Sequence, residues 1–265
     1  MRPFSVMGIV NVTPDSFSDG GLFHDAEAAV EHGRRLAGEG ADILDVGGES
    51  TRPGAEPVPV GEELERVVPV IEQLAADGHW LSVDTTKLEV ARAALDAGAR
   101  IVNDVSALRF APGMAALVAE RAATCCLMHM LGEPRTMQRE PRYGDVVGEV
   151  KAFLEERLAF AVSEGVPEQN VWLDPGIGFG KTVEHNLELL RRLDELVALG
   201  RPVVVGSSRK SFLGVLTGGR DEGERLPGTI ATNVLALERG ASVFRVHDVA
   251  PVVDALRVAA ATVAP

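Results

Sequence analysis

The sequence predicts one (β/α)8 barrel, a TIM barrel, and three observations lead to it. The chain has 265 residues with 46% hydrophobic residues, enough to bury the core of one large α/β domain. Short β-branched runs alternate with longer stretches of helical period, which predicts a parallel sheet. The alternation occurs eight times, which fits a closed barrel better than an open sheet. Because no linker or repeat interrupts it, residues 1–265 are predicted to form a single domain.

Each predicted strand is a short apolar run followed by Gly, Asp or Asn. The strands are expected at residues 6–10, 43–46, 81–83, 101–102, 124–128, 171–173, 203–205 and 243–246. Amphipathic helices are expected between them, for example at 25–39, 61–76, 88–97, 146–164 and 183–199. In the last of these, one face carries Leu187, Leu190, Leu193 and Val197.

Composition narrows the possible partners and the compartment. The formal net charge of −13 opposes binding to DNA, RNA or anionic lipid, so no nucleic-acid or membrane partner is expected. No apolar run is long enough for a membrane span, and the N-terminal stretch does not have the pattern of a signal peptide. The two cysteines, Cys125 and Cys126, are neighbours that would face opposite sides of a strand. Buried free thiols indicate a reducing compartment, and we expect the protein in the cytoplasm.

Polar clusters follow almost every predicted strand. In chain order they are NVTPDSFSDGG, GGESTRPGA, DTTK, NDVSA, HMLGEPRTMQ, DPGIGFGK, GSSRKSF and RVHDV. In a (β/α)8 barrel, the carboxyl ends of all eight strands converge on the face where active sites are built. Residues scattered through the chain therefore become neighbours, which predicts an enzyme.

Three of these residues suit an anion. Arg245 and His247 lie two apart at the end of the eighth strand, so both face the same way and could bind one phosphate or diphosphate. Asn11, at the end of the first strand, offers an amide oxygen to a Mg²⁺ ion that binds phosphate oxygens and water. The predicted cofactor is Mg²⁺.

Four other residues suit a flat, nitrogen-rich ring. Asp84 and Asp174 end the third and sixth strands, with Asn103 and Lys210 expected beside them. A carboxylate accepts two parallel N–H bonds from an amino-pyrimidine edge much as it does from a guanidinium group. The set therefore predicts a pterin or purine site.

The stretch LDPGIGFGKT resembles a nucleotide-binding loop but departs from both common patterns. A Walker A loop needs glycine at position 175, where the chain has Pro175, which lacks an N–H group. The dinucleotide pattern needs glycine at 181, where Lys181 stands. Asp174 at the start of the stretch is the more informative residue.

Structural interpretations stay open for several of these residues. An Asp at a strand end often caps the next helix, and for Asp84 or Asp104 taken alone this is as good an interpretation as a site role. Four histidines are interpreted as structural, and His129 is left undecided. The four are His24, His32, His79 and His185. No spacing in the sequence is typical of a zinc site.

Taken together, these motifs resemble the dihydropteroate synthase family, the folate-pathway enzymes that sulfonamides inhibit. The similarity runs from MGIVNVTPDSFSDGG to GASVFRVHDV, with the motifs in family order. The resemblance implies a barrel, usually a homodimer, that joins 6-hydroxymethyl-7,8-dihydropterin diphosphate to p-aminobenzoate. The products are 7,8-dihydropteroate and diphosphate.

The resemblance also implies roles for particular residues. The pterin pocket would comprise Asp84, Asn103, Asp174 and Lys210, with Met128 and Phe179 as apolar walls. The diphosphate site would comprise Asn11 with Mg²⁺, Thr51, Arg245 and His247. Loops 13–24 and 52–58 would close over p-aminobenzoate and bring to it Asp15, Phe17, Arg52 and Pro53, with Ser211 and Lys210 on the other side.

The residue types agree with an SN1-like reaction. Asp84 would offset positive charge on the pterin methylene, and Arg245, His247 and Mg²⁺ would offset charge on the leaving diphosphate. Lys210 and Asp15 complete the set of expected catalytic residues. The chief alternative is a pterin-binding barrel that transfers a methyl group from methyltetrahydrofolate to a corrinoid. A regulatory barrel that binds pterin without turnover is a second alternative.

Overall fold

Eight parallel strands form the centre of the molecule. The computed structural model describes residues 3–13, 22–51 and 54–263, except for the side chains of residues 22–25 and 263. The strands are hydrogen-bonded in the order β6-β5-β4-β3-β2-β1-β8-β7. A parallel bridge between Leu173 and Val203 brings the β6 and β7 edges together. The sheet therefore closes on itself, and the predicted (β/α)8 barrel is confirmed.

The eight predicted strands are all present. They are β1 Ser5–Asn11, β2 Ile43–Gly47, β3 Leu81–Asp84, β4 Ile101–Asp104, β5 Thr124–Met128, β6 Val171–Asp174, β7 Val204–Val205 and β8 Val243–Val246. Several of them extend past the apolar run to include a polar residue, such as Asn11, Asp84 or Asp174. These side chains therefore belong to the rigid barrel.

In the described part of the chain, ten α-helices surround the strands. They are α1 Leu22–Gly38, α2 Val60–Ala76, α3 Leu88–Asp96, α4 Met114–Glu120, α5 Val146–Ser163, α6 Val183–Arg191, α7 Asp194–Val197, α8 Ser211–Leu216, α9 Leu226–Glu238 and α10 Val249–Val263. Strands and helices do not simply alternate, because two helices follow β6 and two follow β7. None of the described helices has the length and apolar character needed to cross a bilayer.

The helix predicted at 183–199 is wrong in one respect: the structure divides it into α6 and α7. The backbone of Arg192 (φ −109°, ψ 30°) leaves the helical region between them. The predicted apolar face nevertheless packs against the core, with Leu193 fully buried. Apolar periodicity shows which side of a segment faces the core, but it does not show whether the backbone hydrogen bonds continue without a break.

The barrel interior changes from apolar to polar along its axis. A buried cluster fills one end, comprising Met7, Ile43, Ile101, Cys126, Val204 and Val243, with Trp172 packed against it. Residues two positions further along a strand face the same side. Ile43, Ile101, Trp172 and Val243 are followed in this way by Asp45, Asn103, Asp174 and Arg245. The carboxyl-terminal end of the interior is therefore charged.

The two cysteines separate as predicted. Cys126 belongs to the interior cluster, whereas Cys125 belongs to the larger core between the strands and helices. Both are free and buried. Neighbouring residues of one strand thus contribute to two different cores.

Candidate active site

A cavity of about 680 Å³ opens at the carboxyl ends of the strands. Eight of the residues singled out from the sequence line it, namely Asn11, Thr51, Asp84, Phe179, Lys210, Ser211, Arg245 and His247. They come from six of the eight strand ends, β1, β2, β3, β6, β7 and β8. The predicted convergence of distant residues on one face is therefore observed.

Three further predicted residues lie buried at the same end of the barrel. Asn103, Met128 and Asp174 are 5%, 4% and 6% exposed, respectively. Met128 packs in a cluster with Val105 and against Phe179. Asp15, Phe17, Arg52 and Pro53 lie outside the described residues, as do most of the loop 13–24 and the start of the loop 52–58.

Arg245 is held by two carboxylates. Its Nε donates to Asp45 Oδ2 and its Nη2 donates to Asp84 Oδ2, each at 2.6 Å. Asp45 Oδ2 also accepts from Asn103 Nδ2 at 3.1 Å. These bonds orient the guanidinium within the barrel. The binding of one anion by Arg245 and His247 together stays a prediction.

The charges of this group do not balance, since two carboxylates share one guanidinium. Burial opposes the charge of Arg245, but Asp45 and Asp84 outweigh it and raise the pKa of the guanidinium. Burial raises the pKa of Asp84 to about 7, against the lowering effect of Arg245, and Asp45 raises it further. Asp84 therefore changes its charge near neutral pH, and a ligand with positive charge or N–H donors would favour the ionised form.

Asp174 is oriented by its own loop. Its Oδ1 accepts from the backbone N–H of Gly176 at 2.6 Å. Burial raises the pKa of Asp174 to about 6, while that hydrogen bond and the charges of Lys210, Arg245 and Lys181 oppose the rise. Asp174 is thus a buried acid that is mostly ionised at pH 7, with the basic side chains of Lys210, Arg245 and Lys181 around it.

The capping alternative does not hold for Asp84 or Asp174. Lys87 is the N-cap residue of α3, and Thr182 caps α6. The alternative does hold in a related form for Asp104, whose carboxylate accepts from the backbone N–H groups of Ser106 and Leu108 at 2.7 and 2.9 Å. Asp104 therefore uses both carboxylate oxygens to stabilise a turn, whereas Asp174 uses only Oδ1 in this way and Asp84 bonds to Arg245.

Lys210 and Phe179 form one wall of the cavity. The Lys210 ammonium lies 4.0 Å from the centre of the Phe179 ring, a cation–π contact. The Lys210 side chain also packs on Gly178, where an added Cβ would lie 3.0 Å from its Cδ. Gly178 donates its N–H to Asn186 Oδ1 at 2.7 Å, which ties this wall to α6.

His247 is oriented by Ser208, a residue not selected from the sequence. The backbone N–H of His247 donates to Ser208 Oγ at 3.2 Å, and the same oxygen lies 3.0 Å from His247 Nδ1. Ser208 is part of the GSSRKSF cluster, so the polar cluster itself was the available signal.

Two of the histidines interpreted as structural have structural contacts. His32 Nε2 donates to the carbonyl of Ile9 at 3.3 Å, and His185 exchanges capping bonds with Thr182. His79 does not line the cavity, and the side chain of His24 is not described. His129, left undecided, is buried against Lys181.

Asp45 is the main site residue that sequence reasoning missed. It is fully buried, and in the β2–β3 register it lies beside Ser82. The signal was present, because Asp45 is the one acid within the apolar strand ILDVG. Its position before the strand end kept it out of the terminal clusters.

Comparison with known proteins identifies the family. The model of the family described as pterin binding enzyme matches residues 7–247. Dihydropteroate synthase of Escherichia coli strain K12 is 48% identical over 258 residues, covering 97% of this chain and 91% of that protein. The chain belongs to the dihydropteroate synthase family.

Solved structures of dihydropteroate synthase agree with this assignment. That of Xanthomonas albilineans with 4-aminobenzoic acid superposes with a TM-score of 0.93 at 54% identity, covering 100% of this chain and 94% of that one. Another structure of the Xanthomonas albilineans enzyme, in complex with 7,8-dihydropteroate, gives a TM-score of 0.89 at 51% identity, covering 100% of this chain and 95% of that one. The resemblance stated from the motifs is therefore confirmed.

Proposed function

We infer that this chain catalyses the dihydropteroate synthase reaction. It is a transferase that joins 6-hydroxymethyl-7,8-dihydropterin diphosphate to p-aminobenzoate and releases 7,8-dihydropteroate and diphosphate. One observation carries the inference: acids, an amide and cations from six strand ends meet at one cavity in a barrel of this family. Family structures hold 4-aminobenzoic acid and 7,8-dihydropteroate.

The pterin is assigned to the buried end of the cavity. Asp174 is ionised at pH 7 and would accept N–H bonds from the amino-pyrimidine edge, with Asn103 and Lys210 around the ring. Met128 and Phe179 supply apolar contact on the ring faces. Supporting this assignment, the buried polar groups there are carried by strands and a short loop that the barrel holds rigid.

The diphosphate is assigned to the side lined by Asn11, Thr51, Arg245 and His247. Among the described residues, no group of three or more His, Cys, Asp or Glu side chains is placed to hold a metal ion. A lone amide oxygen fits a Mg²⁺ ion whose other ligands are diphosphate oxygens and water. We propose that Asn11 holds it, and when bound it would neutralise charge on the leaving diphosphate.

The reaction then proceeds by loss of diphosphate before attack. The bond from the methylene carbon to the diphosphate oxygen breaks, and both electrons leave with the diphosphate. Asp84, 2.6 Å from Arg245, would stabilise the positive methylene, while Arg245 and His247 stabilise the leaving group. The aniline nitrogen of p-aminobenzoate forms the new C–N bond and releases its proton to water.

The p-aminobenzoate site is assigned to Ser211 and Lys210 at the start of α8. The family resemblance adds Asp15, Phe17, Arg52 and Pro53, with Asp15 among the catalytic residues. Loops over the site would exclude water, whose attack on the methylene would waste the pterin substrate.

Two further proposals concern the state of the protein. We propose a homodimer, as the family resemblance implies, which light scattering on the purified protein would test. We also propose a cytoplasmic location, because two adjacent buried thiols suit a reducing compartment. Both proposed substrates, the pterin diphosphate and p-aminobenzoate, are small molecules.

The decisive experiment incubates the purified protein with the pterin diphosphate, p-aminobenzoate and Mg²⁺, and measures both 7,8-dihydropteroate and diphosphate. Equal amounts of both products are expected. Omitting p-aminobenzoate should abolish the pteroate, and EDTA should slow its formation and weaken diphosphate binding in calorimetry. Transfer of a methyl group from methyltetrahydrofolate to a corrinoid, without pteroate synthesis, would instead support the alternative reaction.

A further inference from the structure

Lys181 is a buried lysine whose amine has a matched set of acceptors. Its side chain is only 3% exposed. Nζ lies 3.0 Å from His129 Nδ1, 3.0 Å from the carbonyl of Phe179 and 3.4 Å from the carbonyl of His129. An ammonium group has three N–H donors and no acceptor, so each of these three contacts takes one donor.

The loop that carries the pterin-facing Asp174 is folded around this amine. Gly176 has a φ of +67°, and an added Cβ would lie 1.9 Å from the carbonyl oxygen of His129 and 3.4 Å from Lys181 Nζ. Gly180, with a φ of +65°, also packs closely, since an added Cβ would lie 2.8 Å from Leu131 Cβ. The loop therefore lies flat on residues 129–131 with the amine between the two segments.

All three contacts of Lys181 are to uncharged groups. Burial and the charge of Lys181 lower the pKa of His129 to about 3, so its ring is neutral and accepts through Nδ1. Burial also lowers the pKa of Lys181 to about 7, with Asp174 opposing and Lys210 adding to the decrease. Burying a cation is unfavourable because the cation loses its hydration. Three neutral acceptors compensate for only part of this desolvation free energy. The positive charge of Lys181 therefore requires a further stabilising interaction.

That interaction is the electrostatic attraction between Lys181 and the carboxylate of Asp174. Asp174 Oδ1 accepts from Gly176 N–H, and Lys181 Nζ lies 3.4 Å from the position that a Cβ on the same glycine would take. We propose that Lys181 is a positioning residue for pterin recognition: its buried amine holds the loop 175–180 in shape and supplies positive charge that keeps Asp174 able to accept hydrogen bonds. The proposal rests on the proposed function, since it concerns the same pterin site.

The groups around the pair give the sign of the expected pH effect. Asp174 faces the Gly176 N–H, Lys210, Arg245 and Lys181. Lys181 in turn faces His129, Asp174 and Lys210. Removing the Lys181 charge favours protonated Asp174, so its pKa rises and pterin binding is lost at a higher pH as the solution is acidified. The main influences on the pKa of Asp84 are burial, Arg245 and the neighbouring acids, whereas Lys181 acts on Asp174, so a shifted limb reports Asp174.

Two variants separate the shape of the loop from the charge. Lys181→Gln keeps N–H donors for the two carbonyl oxygens but removes the charge, whereas Lys181→Met removes both. Lys151→Met is the matched control, because Lys151 lies on α5 away from the cavity. Each protein is titrated with 6-hydroxymethyl-7,8-dihydropterin by calorimetry from pH 5 to 8.5.

We expect the acidic limb of pterin binding to move to higher pH, by about half a unit in Lys181→Gln and about one unit in Lys181→Met. At pH 5, below the pKa of Asp174 in all three proteins, this corresponds to roughly 3-fold and 10-fold weaker binding, respectively, with the control unchanged. If the limbs of the folded variants coincide with that of the wild type, the proposal is overturned. Wild-type protein that binds pterin but forms no dihydropteroate would overturn only the proposed reaction, and wild-type protein that binds no pterin would overturn both.

A measurement on the wild-type protein covers the case in which the variants do not fold. The ¹⁵N resonance of His129 Nδ1 should show a neutral ring that accepts a hydrogen bond, and it should move between about pH 6 and 8 as Lys181 loses its proton. A resonance that is constant over this range, or an Nδ1 that carries a proton, would contradict the assigned contact and with it the proposal.

Discussion

Asp84 and Arg245 are 161 residues apart in the chain, and the structure joins them by a hydrogen bond of 2.6 Å from Arg245 Nη2 to Asp84 Oδ2. The same guanidinium donates from Nε to Asp45, which lies 200 residues away. A group proposed to stabilise the pterin methylene is thus bonded to a group proposed to stabilise the leaving diphosphate. One hydrogen-bonded network therefore contains the groups proposed to stabilise both the methylene carbon and the leaving diphosphate.

Asp84→Asn should abolish most turnover while leaving the fold intact. The amide has the size of the carboxylate but cannot offset positive charge on the methylene, so kcat should fall by about 100-fold or more. Arg245 keeps its bond to Asp45, so the melting temperature should change little. Steady-state kinetics and circular dichroism test both parts, and condensation at the wild-type rate would refute the charge-stabilising role.

Asp45→Asn should impair the site without touching the cavity wall. Asp45 is fully buried and accepts from both Arg245 and Asn103, so the neutral variant leaves each less firmly oriented. We expect the KM for the pterin diphosphate to rise about 10-fold and the free energy of unfolding to fall by about 2 kcal/mol. This loss of stability is smaller than for breaking a buried ion pair with no second partner, because Arg245 keeps its bond to Asp84.

The matched control for Asp45→Asn is Asp254→Asn, which removes an exposed partner of Arg257 and should change stability by less than about 0.5 kcal/mol. Urea denaturation and kinetics on both variants give the comparison. Wild-type KM in Asp45→Asn would show that Asp84 alone orients Arg245.

Asp174→Asn should stabilise the ligand-free protein at alkaline pH. Burial raises the pKa of Asp174 from 3.8 to about 6, so its contribution to stability is fully present below pH 3.8 and is lost as the pH rises through about 6. At pH 8 the variant should therefore unfold with a free energy about 1 to 3 kcal/mol higher than the wild type. Urea denaturation at pH 8 and at pH 4 should show the gain only at pH 8, together with weaker pterin binding. Equal gains at both pH values would contradict the ionisation argument.

Gly176→Ala should destabilise the protein severely, because the new Cβ would fall 1.9 Å from the carbonyl oxygen of His129 at a backbone with φ +67°. The loop would have to leave residues 129–131, at a cost of about 3 kcal/mol or more. Gly200→Ala is the control: its φ is +75°, and nothing lies within 4 Å of the added Cβ. That variant should lose only about 1 to 2 kcal/mol, the cost of the left-handed conformation. Similar losses in both variants would mean that the close approach to His129 is unimportant.

Much of the barrel could be predicted because the relevant signals are local. Short apolar runs before Asp84 and Asp174 marked strand ends, and eight such runs implied closure. Side-chain alternation along a strand also placed Cys125 and Cys126 in separate cores. The interruption of the helix at Arg192 was not predictable in this way, since the apolar period continues across it.

The candidate site was predictable where its residues end strands and was missed where they do not. Asp45 escaped notice because it lies within a strand, whereas Lys181 was noted in the cluster after β6 but its buried contacts were not predicted. Their partners, Arg245 and His129, are 200 and 52 residues away. Sequence spacing says nothing about such contacts until the barrel closes.

By itself, the sequence determined the strand pattern, the barrel and the family, because these depend on apolar periodicity and on motifs that can be recognised along the chain. Only the tertiary structure decided how the charges interact. It placed two carboxylates on one guanidinium and buried the Lys181 amine next to Gly176, whose N–H donates to Asp174. The ionisation of these groups depends on burial and on neighbours within a few ångströms, and both exist only once the chain has folded.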